Sequence, residues 1–383
     1  MKDLQAALDH RREQGLYRKR RILSSAAGAE VKLNENGTRC FCSNDYLGLA
    51  NHPEIAQAAI SAIEKYGVGS GAAHLICGHH QLHHQLEEEL ADFLGQERAL
   101  LFSTGYMANI GVITALTDKH DTVYEDKLNH ASLIDAGRYS DAELVRYPHA
   151  DMENLASRLK NSSAQRKIIV TDGVFSMDGD VAPLKEITQL AKQHRAWTMV
   201  DDAHGIGVIG EQGKGSPSHL GLTPSDIDIH MGTLGKAFGV SGAFVAAREM
   251  IIETLIQEAR TYVYTTAMPP ALAAAALTSL SIIKKEDWRR AQLKERIHQF
   301  RKGATQLGLE LLPSETAIQP IILGDAQKAL QWSEALMNKG IWLSAIRPPT
   351  VPKGTARLRV TLSASHSEQQ VDALLSALEG LCA

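Results

Sequence analysis

Reactive side chains follow three predicted strands of this chain. Asp201 and His204 end the run TMVDDAHG, Ser176 lies in VTDGVFSMDGD, and Thr233 and Lys236 lie in the glycine-rich run HMGTLGKAFG. Lysine is rarely buried, but Lys236 is surrounded in the sequence by glycine, alanine and phenylalanine. Burial would lower the pKa of its amine, which suits an amine that forms a Schiff base with a carbonyl compound.

Each of these motifs also has a simpler explanation. A lone lysine in a glycine-rich turn is usually an exposed loop residue, and this turn lacks the spacing of a nucleotide-binding P-loop. Asp201 and Asp202 alone are compatible with metal binding or helix capping. The functional interpretation is favoured because a carboxylate, an imidazole, a hydroxyl and an amine all follow strands at one predicted sheet edge.

The elements that must position these groups alternate between strands and helices. Strands are predicted at 99–103, 167–172 and 197–202, and helices at 82–94, from about 106, after Asp151 and after Pro183. This alternation predicts a largely parallel sheet that is covered by helices on both faces. Ligands of such sheets bind at the carboxyl ends of the strands, where the reactive groups fall.

The two ends of the chain have other patterns. Residues 1–20 are predicted to form an amphipathic helix, followed by a β-hairpin that turns at Asn36-Gly37. Near the other end, a long charged helix, strands at 318–323, 341–346 and 356–362 and a last helix indicate a small α+β lobe. We expect an α/β protein with an N-terminal segment 1–45, a large sheet domain 46–285 and a small C-terminal domain 286–383.

Composition narrows the class of protein. The net charge of −4 comes from mixed acids and bases, which argues against a nucleic-acid partner. No apolar run approaches the roughly 18 residues that span a membrane, and the N-terminus lacks the apolar core of a signal peptide. The four cysteines form no disulfide or CxxC pattern, which predicts reduced thiols and a cytoplasmic location.

A histidine cluster comprises His79, His80, His83 and His84. Imidazoles four residues apart share a helix face, so a metal site was considered. No glutamate occupies the position that the HExxH motif requires. We therefore expect no metal site, and we expect these histidines to lie on a helix surface or to line a channel.

Longer blocks resemble one enzyme family. VDDAHGIGVIGEQGKG followed by TLGKAFG is similar to the signature of the α-oxoamine synthases, which are pyridoxal 5′-phosphate (PLP) enzymes of fold type I. Further similar blocks are SNDYLGLA (43–50), FSTGYMAN (102–109), LNHASLIDAG (128–137), GVFSMDGD (173–180) and YTTAMPP (264–270). The resemblance covers nearly the whole chain. One departure is GSGAAHLICGHH (69–80), where many members have a second glycine and a serine.

The resemblance implies a reaction. The tail AIRPPTVPKGTARLRVTL (345–362) is most similar to members that act in biotin biosynthesis. They condense L-alanine with a pimeloyl thioester of CoA or acyl-carrier protein and release CO2 and the thiol. The alternatives are a sister synthase that uses glycine or serine with another acyl-CoA, an aminotransferase, and an inactive partner subunit.

The resemblance also implies residue roles. Lys236, His130 and Asp201 would be catalytic, and the implied PLP contacts are Lys236, Gly105, Tyr106, His130, Ser176, Asp201, His204, Thr233, Thr265 and Thr266. The last two would reach the phosphate of a neighbouring subunit, which implies a homodimer. The implied substrate contacts are Arg18, Asn44, His130, Arg347, Thr350 and Arg359. Arg359 would bind the amino-acid carboxylate, although a solvated position on its strand is also compatible with the pattern.

Overall fold

The structure is a computed structural model that describes residues 3–14, 16–33 and 35–382. Its helices are α1 (Leu4–Glu13), α2 (Pro53–Tyr66), α3 (Gln81–Leu94), α4 (Gly105–Leu116), α5 (Ala131–Tyr139), α6 (Met152–Lys160), α7 (Leu184–His194), α8 (Ser216–His219), α9 (Glu249–Glu258), α10 (Arg260–Val263), α11 (Pro270–Lys285), α12 (Asp287–Gln306), α13 (Ala326–Asn338) and α14 (Glu368–Cys382). None of these helices has the length and apolar character needed to cross a bilayer.

The strands form three sheets. They are β1 (Glu30–Leu33), β2 (Asn36–Cys40), β3 (Arg98–Phe102), β4 (Thr122–Asp126), β5 (Glu143–Tyr147), β6 (Lys167–Asp172), β7 (Trp197–Asp201), β8 (Ile229–Thr233), β9 (Ala243–Ala247), β10 (Ile318–Gly324), β11 (Ile341–Trp342), β12 (Ser344–Ile346) and β13 (Ala356–Thr361). The largest sheet has seven strands in the order β3-β9-β8-β7-β6-β4-β5. Strands β5, β4, β6, β7 and β8 are mutually parallel, and β9 is antiparallel to both of its neighbours. The expected α/β fold with a mostly parallel sheet is confirmed.

Both faces of the seven-stranded sheet are covered because its strands are apolar on both sides. Ile168 and Val170 of β6 belong to a core that includes side chains of α4, α5 and α9. Ile169, between them, belongs to a second core that includes side chains of α6 and α7. Side chains alternate along a strand, so a continuous apolar run buries both faces.

The strand register aligns the carboxyl ends of the central strands. Asp172 at the end of β6 is paired with Asp201 at the end of β7, and Asp201 is paired with Met231 of β8. The loops that follow these strands therefore open on one edge of the sheet.

One of the two small sheets joins the ends of the chain. In one sheet β11 pairs in parallel with β2, so the N-terminal hairpin packs against the C-terminal segment. In the other, β12 and β10 flank β13. The single strand predicted at 341–346 is wrong: Ile341 pairs with Arg39 and Ser344 pairs with Arg359, in different sheets.

Two local predictions need correction. The helix predicted for residues 1–20 ends at Glu13, and α1 has no buried residue whose packing would extend it; residues 1, 2 and 15 lie outside the described residues. The hairpin forms, but Asn36 is already paired with Leu33, so Asn36-Gly37 belongs to β2. Burial of Val31, opposite the buried Thr38, sets this register.

Candidate active site

A cavity of about 190 Å³ opens at the carboxyl ends of the central strands. For comparison, an apolar cavity of about 150 Å³ holds a benzene molecule, so one substituted six-membered ring is of suitable size. The residues that line it are Gly105, Tyr106, His130, Ser132, Asp172, Ser176, Asp201, Ala203, His204, Met231, Thr233 and Lys236. Eight of the ten residues implied as PLP contacts are therefore in one cavity.

Lys236 supplies the only lysine amine among the residues that line this cavity. Its Nζ lies 2.8 Å from Nε2 of His204. Burial lowers the pKa of this amine to about 8, although the carboxylates of Asp201 and Asp172 act in the opposite direction. At pH 7 roughly a tenth of the amine is then neutral, compared with less than about a thousandth for an ordinary lysine.

His204 connects Lys236 to the opposite wall. Its Nδ1 lies 2.5 Å from the hydroxyl of Tyr46, a fully buried residue. Burial holds the pKa of His204 well below its usual value, and the nearby charge of Lys236 acts in the same direction. The imidazole is therefore neutral, and its two nitrogens are fixed between a phenol and an amine.

Asp201 is oriented by two hydrogen-bond donors. Nδ2 of Asn109 donates to Oδ2 at 2.7 Å, and the backbone N–H of Ala203 donates to Oδ1 at 3.1 Å. These two donors fix the orientation of the carboxyl group. Asp201 thus offers a buried, oriented carboxylate to the cavity.

Asp172 lies next to Asp201, at the end of the neighbouring strand β6. Burial raises the pKa of Asp172 well above its usual value, and the charge of Asp201 raises it further. Its Oδ2 accepts a hydrogen bond from the backbone N–H of His130 at 2.8 Å. Burial therefore favours the neutral form of Asp172, and its Oδ2 fixes the start of the loop that holds His130.

His130 caps helix α5 with its side chain. Its Nδ1 lies 2.7 Å from Oγ of Ser132 and accepts from the backbone N–H of that residue at 3.3 Å. Burial lowers the pKa of His130. A neutral imidazole that accepts at Nδ1 carries its proton on Nε2, which can donate to an oxygen in the cavity.

The start of helix α4 borders the cavity. Thr104 caps this helix by accepting from the N–H of Met107, and no hydrogen bond of the described residues uses the N–H groups of Gly105 and Tyr106. Free N–H groups at a helix start bind phosphate. A Cβ at Gly105 would lie 2.8 Å from Cε of Met231 and would displace a cavity-lining side chain.

Thr233 lines the same region, but its hydroxyl is already engaged. It donates to the carbonyl oxygen of Gly242 at 3.0 Å and accepts from the N–H of Gly235. Thr265 and Thr266 are absent from the lining of the cavity, and Thr266 is exposed and paired with Ala73.

Arg359 is buried, which excludes the solvated position considered from the sequence. Its Nε donates to the carbonyl oxygen of Ser176 at 2.7 Å, and both terminal nitrogens lie 3.3 Å from Oδ1 of Asn44. The structure therefore brings Arg359, Asn44 and Ser176 together. Nη1 also donates to Oγ1 of Thr361, which fixes the plane of the guanidinium group.

A second cavity, of about 800 Å³, separates the N-terminal segment from the C-terminal lobe. Arg18, Arg347 and Thr350 line it, together with other basic residues of the segment 16–21. Burial lowers the pKa of Arg347, and the charge of Arg18 acts in the same direction. We call this second cavity the basic groove.

Four residues of the site were missed in the sequence. Ser132 and Asp172 line the first cavity, and Tyr46 and Asn109 contact side chains that line it. Asn109 donates to both Asp201 and Ser132, so one amide orients two groups of the site. Tyr46 and Asn109 lie within blocks that resemble the family, which was the available signal, but their partners are distant in the chain.

The chain is similar to known proteins over nearly its whole length. A family model of class I and II aminotransferases matches residues 40–378. The 8-amino-7-oxononanoate synthase of Hydrogenovibrio crunogenus is 57% identical to the chain over 97% of its length and 94% of the relative's. This chain belongs to the 8-amino-7-oxononanoate synthase family. The family resemblance noted in the sequence, the fold type and the class of PLP-dependent acyltransferase are thereby confirmed.

Solved structures of this family's relatives share the whole fold. A serine palmitoyltransferase from S. paucimobilis, with PLP and myriocin bound, has a TM-score of 0.93 at 31% identity and covers 98% of this chain and 96% of its own. The 8-amino-7-oxononanoate synthase of Francisella tularensis has a TM-score of 0.79 at 33% identity and covers 90% and 97%.

The groups that line the cavity are complementary to PLP. It combines a buried amine of lowered pKa, an oriented carboxylate and a helix start with two free N–H groups. An aldehyde, a pyridine nitrogen and a phosphate are complementary to these three features.

Proposed function

We propose that the chain catalyses the decarboxylative condensation of L-alanine with a pimeloyl thioester. The products are 8-amino-7-oxononanoate, CO2 and a free thiol, and the reaction belongs to biotin biosynthesis. The observation that carries the proposal is the buried amine of Lys236, 2.8 Å from His204 in a cavity that Asp201 also lines. The names of relatives more than half identical to the chain supply the product, and the family resemblance noted in the sequence supplies the substrates.

Different residues of the cavity would contact different parts of PLP. Lys236 would attach it, Asp201 would face the ring nitrogen, and His204 and Ser176 would lie on the side of the ring hydroxyl. Gly105, Tyr106 and Thr233 would face the phosphate; we infer that Thr233 must exchange its bond to Gly242 to donate there. Bound PLP supplies an electron sink for the pair left on the amino-acid Cα.

Lys236 would act as the general base. Its pKa of about 8 lies near the working pH, where a base is efficient because it accepts a proton and also releases it. The adjacent neutral His204 holds the amine in place without adding a charge beside it. We assign to Lys236 the removal of the Cα proton of alanine and the later return of a proton.

Arg359 would bind the carboxylate of alanine. Its guanidinium group is held by Ser176 and Thr361, and the contacts of its terminal nitrogens with Asn44 are long, at 3.3 Å. A carboxylate can displace these 3.3 Å contacts and form two shorter, charge-assisted bonds. Asn44 would then turn one of its polar atoms to the substrate.

His130 would assist the acyl transfer by donating a hydrogen bond. Its Nδ1 is occupied at the start of α5, so the proton on Nε2 is available to an oxygen. The carbonyl oxygen of the thioester becomes negative when Cα attacks the carbonyl carbon. A hydrogen bond from a fixed donor to that oxygen stabilises the transition state more than the ground state.

The basic groove would receive the acyl substrate. Arg18, Arg347 and Thr350 lie along it, and the like charges of the two arginines repel each other. An anionic ligand such as the phosphates of CoA, the phosphopantetheine of a carrier protein or the distal carboxylate of pimelate would relieve this repulsion.

A homodimer completes the proposal. Thr265 and Thr266 lie outside the cavity of their own chain, and we assign them to the phosphate site of a neighbouring subunit. We also propose that each chain comprises an N-terminal segment 1–45, a large domain 46–285 and a small C-terminal domain 286–383. We propose the cytoplasm as the location of the protein, because a reducing compartment suits four free thiols.

The second candidate is a synthase that uses serine, because serine palmitoyltransferase has a TM-score of 0.93 to this chain. The purified protein would be incubated with alanine, glycine or serine and with pimeloyl-CoA, pimeloyl carrier protein or palmitoyl-CoA, and thiol and CO2 release would be measured. We expect the highest kcat/KM for alanine with a pimeloyl thioester. A preference for serine with palmitoyl-CoA, or amino transfer to an oxo acid without CO2, would contradict the proposal.

A further inference from the structure

The segment before helix α3 and its first turns hold a group of histidines outside the candidate active site. His74 and His79 lie before the helix, and His83 and His84 lie in it. From the sequence, a metal site was disfavoured because no glutamate completes an HExxH motif. The structure adds Glu87, one turn after His84, to this group.

Two overlapping sets of ligand atoms are close enough to consider. In each set the atoms lie within 4.8 Å of one another: His74, His79 and His83 form one, and His79, His84 and Glu87 form the other. The first set is unsuitable because both nitrogens of His83 are engaged. Its Nδ1 accepts from the N–H of His80, and its Nε2 lies 2.8 Å from the carbonyl oxygen of Met268.

The second set keeps all three ligand atoms available. Nε2 of His79 faces Oε2 of Glu87 at 3.9 Å, too long for a hydrogen bond. Neither imidazole nitrogen of His84 takes part in a hydrogen bond of the described residues; its nearest charge is Glu88, 3.5 Å away. Glu87 is only 8% exposed, and its Oε2 has no hydrogen-bond donor there.

In Glu87 and His79, the atom that does not face the proposed ion has a partner of its own. The second oxygen of Glu87, Oε1, accepts from the backbone N–H of Leu101 at 3.0 Å. The second nitrogen of His79, Nδ1, lies 2.9 Å from Nδ1 of His74. Partners of this kind fix the rotamer and tautomer of metal ligands, leaving the other atom for the ion.

We propose that His79, His84 and Glu87 form a binding site for Zn²⁺ or a similar late divalent transition metal. Two imidazoles and one carboxylate are a known zinc ligand set, with a water as the fourth ligand, and the nitrogen donors disfavour Mg²⁺ and Ca²⁺. Tetrahedral bonds of about 2.1 Å place ligand atoms about 3.4 Å apart. The exposed side chain of His84 can supply the required movement.

The ion would tie the segment before α3 to the helix. This segment also pairs with the stretch that contains Thr266, through the bridge between Ala73 and Thr266 and the bond from Ala267 N–H to Ala72 O. None of His79, His84 and Glu87 lines the Lys236 cavity, so zinc binding can be tested without turnover.

The test is a zinc titration of tag-free, chelator-treated holoenzyme in competition with a chromophoric chelator. We expect one ion per chain in the unchanged protein, and Mg²⁺ should not compete. His84→Ala and Glu87→Gln should each weaken binding by roughly 100-fold or more, because even the loss of an outer partner costs about 10–100-fold. Glu87→Gln retains an acceptor for Leu101.

The matched control is His298→Ala, which removes another exposed helical histidine, on α12. It should bind zinc like the unchanged protein. Thermal midpoints and the absorbance of bound cofactor would show whether each variant is folded. The proposal is overturned if the unchanged protein binds no zinc, or if His84→Ala and Glu87→Gln bind it as tightly as His298→Ala does.

Discussion

The amine of Lys236 and the imidazole of His204 are in direct contact, with 2.8 Å between Nζ and Nε2. Both groups are buried, and burial lowers the pKa of each. The contact keeps a nucleophilic amine at a fixed place without a competing charge. Its consequences for reactivity can be measured.

The pH dependence of amine labelling should report the lowered pKa of Lys236. The neutral amine is the reactive form, so labelling in cofactor-free protein should rise about tenfold per pH unit below about 8 and level off above it. Exposed lysines should continue to gain reactivity up to about pH 10. Brief acylation followed by peptide mass spectrometry measures both in one sample. A Lys236 profile that parallels the exposed lysines would contradict the lowered pKa.

Asp201→Asn should lower kcat on the order of 100-fold or more. The neutral amide cannot stabilise a positive ring nitrogen, and each pKa unit of lost stabilisation corresponds to about tenfold. The amide oxygen of the new side chain can still accept from one of the two donors, Asn109 or Ala203, so the fold should persist. Steady-state kinetics and the thermal midpoint give the two readouts. An unchanged kcat would remove Asp201 from its assigned role.

Arg359→Lys should raise the KM for alanine, by roughly 10–100-fold, because a lysine lacks the planar fork that matches a carboxylate. Arg357→Lys is the matched control: Arg357 lies two residues away on β13, is equally buried and contacts Asp178 instead. We expect its KM for alanine to be nearly unchanged. Equal effects of the two substitutions would indicate a general loss of packing.

Arg347→Ala should raise the KM for the pimeloyl thioester and leave the KM for alanine unchanged, since Arg347 lines the basic groove and Arg359 does not. The effect should be about tenfold at low salt and smaller at high salt, because ions screen partly exposed charges. Arg158→Ala, on the exposed face of α6, is the control. A change in the KM for alanine alone would contradict this assignment of the groove.

Much of the fold was predictable because local patterns agree with it. The leucine stripe of α3 ends at Gly95, whose positive φ of 68° closes the helix, and Asp151 caps α6 as its position indicated. The predictions failed where pairing with residues distant in the chain determines the local structure. Residues 341–346 divide between two sheets because Ile341 meets β2 and Ser344 meets β13.

The candidate active site also combines residues that were predictable from local patterns with residues that were not. Lys236, Asp201 and His204 were predictable because each lies in a recognisable run after a strand. Tyr46 was not, since its contact with His204 joins residues 158 positions apart. Glu87 was overlooked because HExxH is a pattern of one helix, whereas His79 approaches from the preceding segment.

The most direct test of the central claim is to trap the cofactor on the protein. Purified holoenzyme would be reduced with borohydride, digested and analysed by mass spectrometry. We expect the pyridoxyl phosphate mass on the peptide that contains Lys236, and no such mass in the Lys236→Ala variant. An unmodified Lys236, or the same modification on another lysine, would contradict the account.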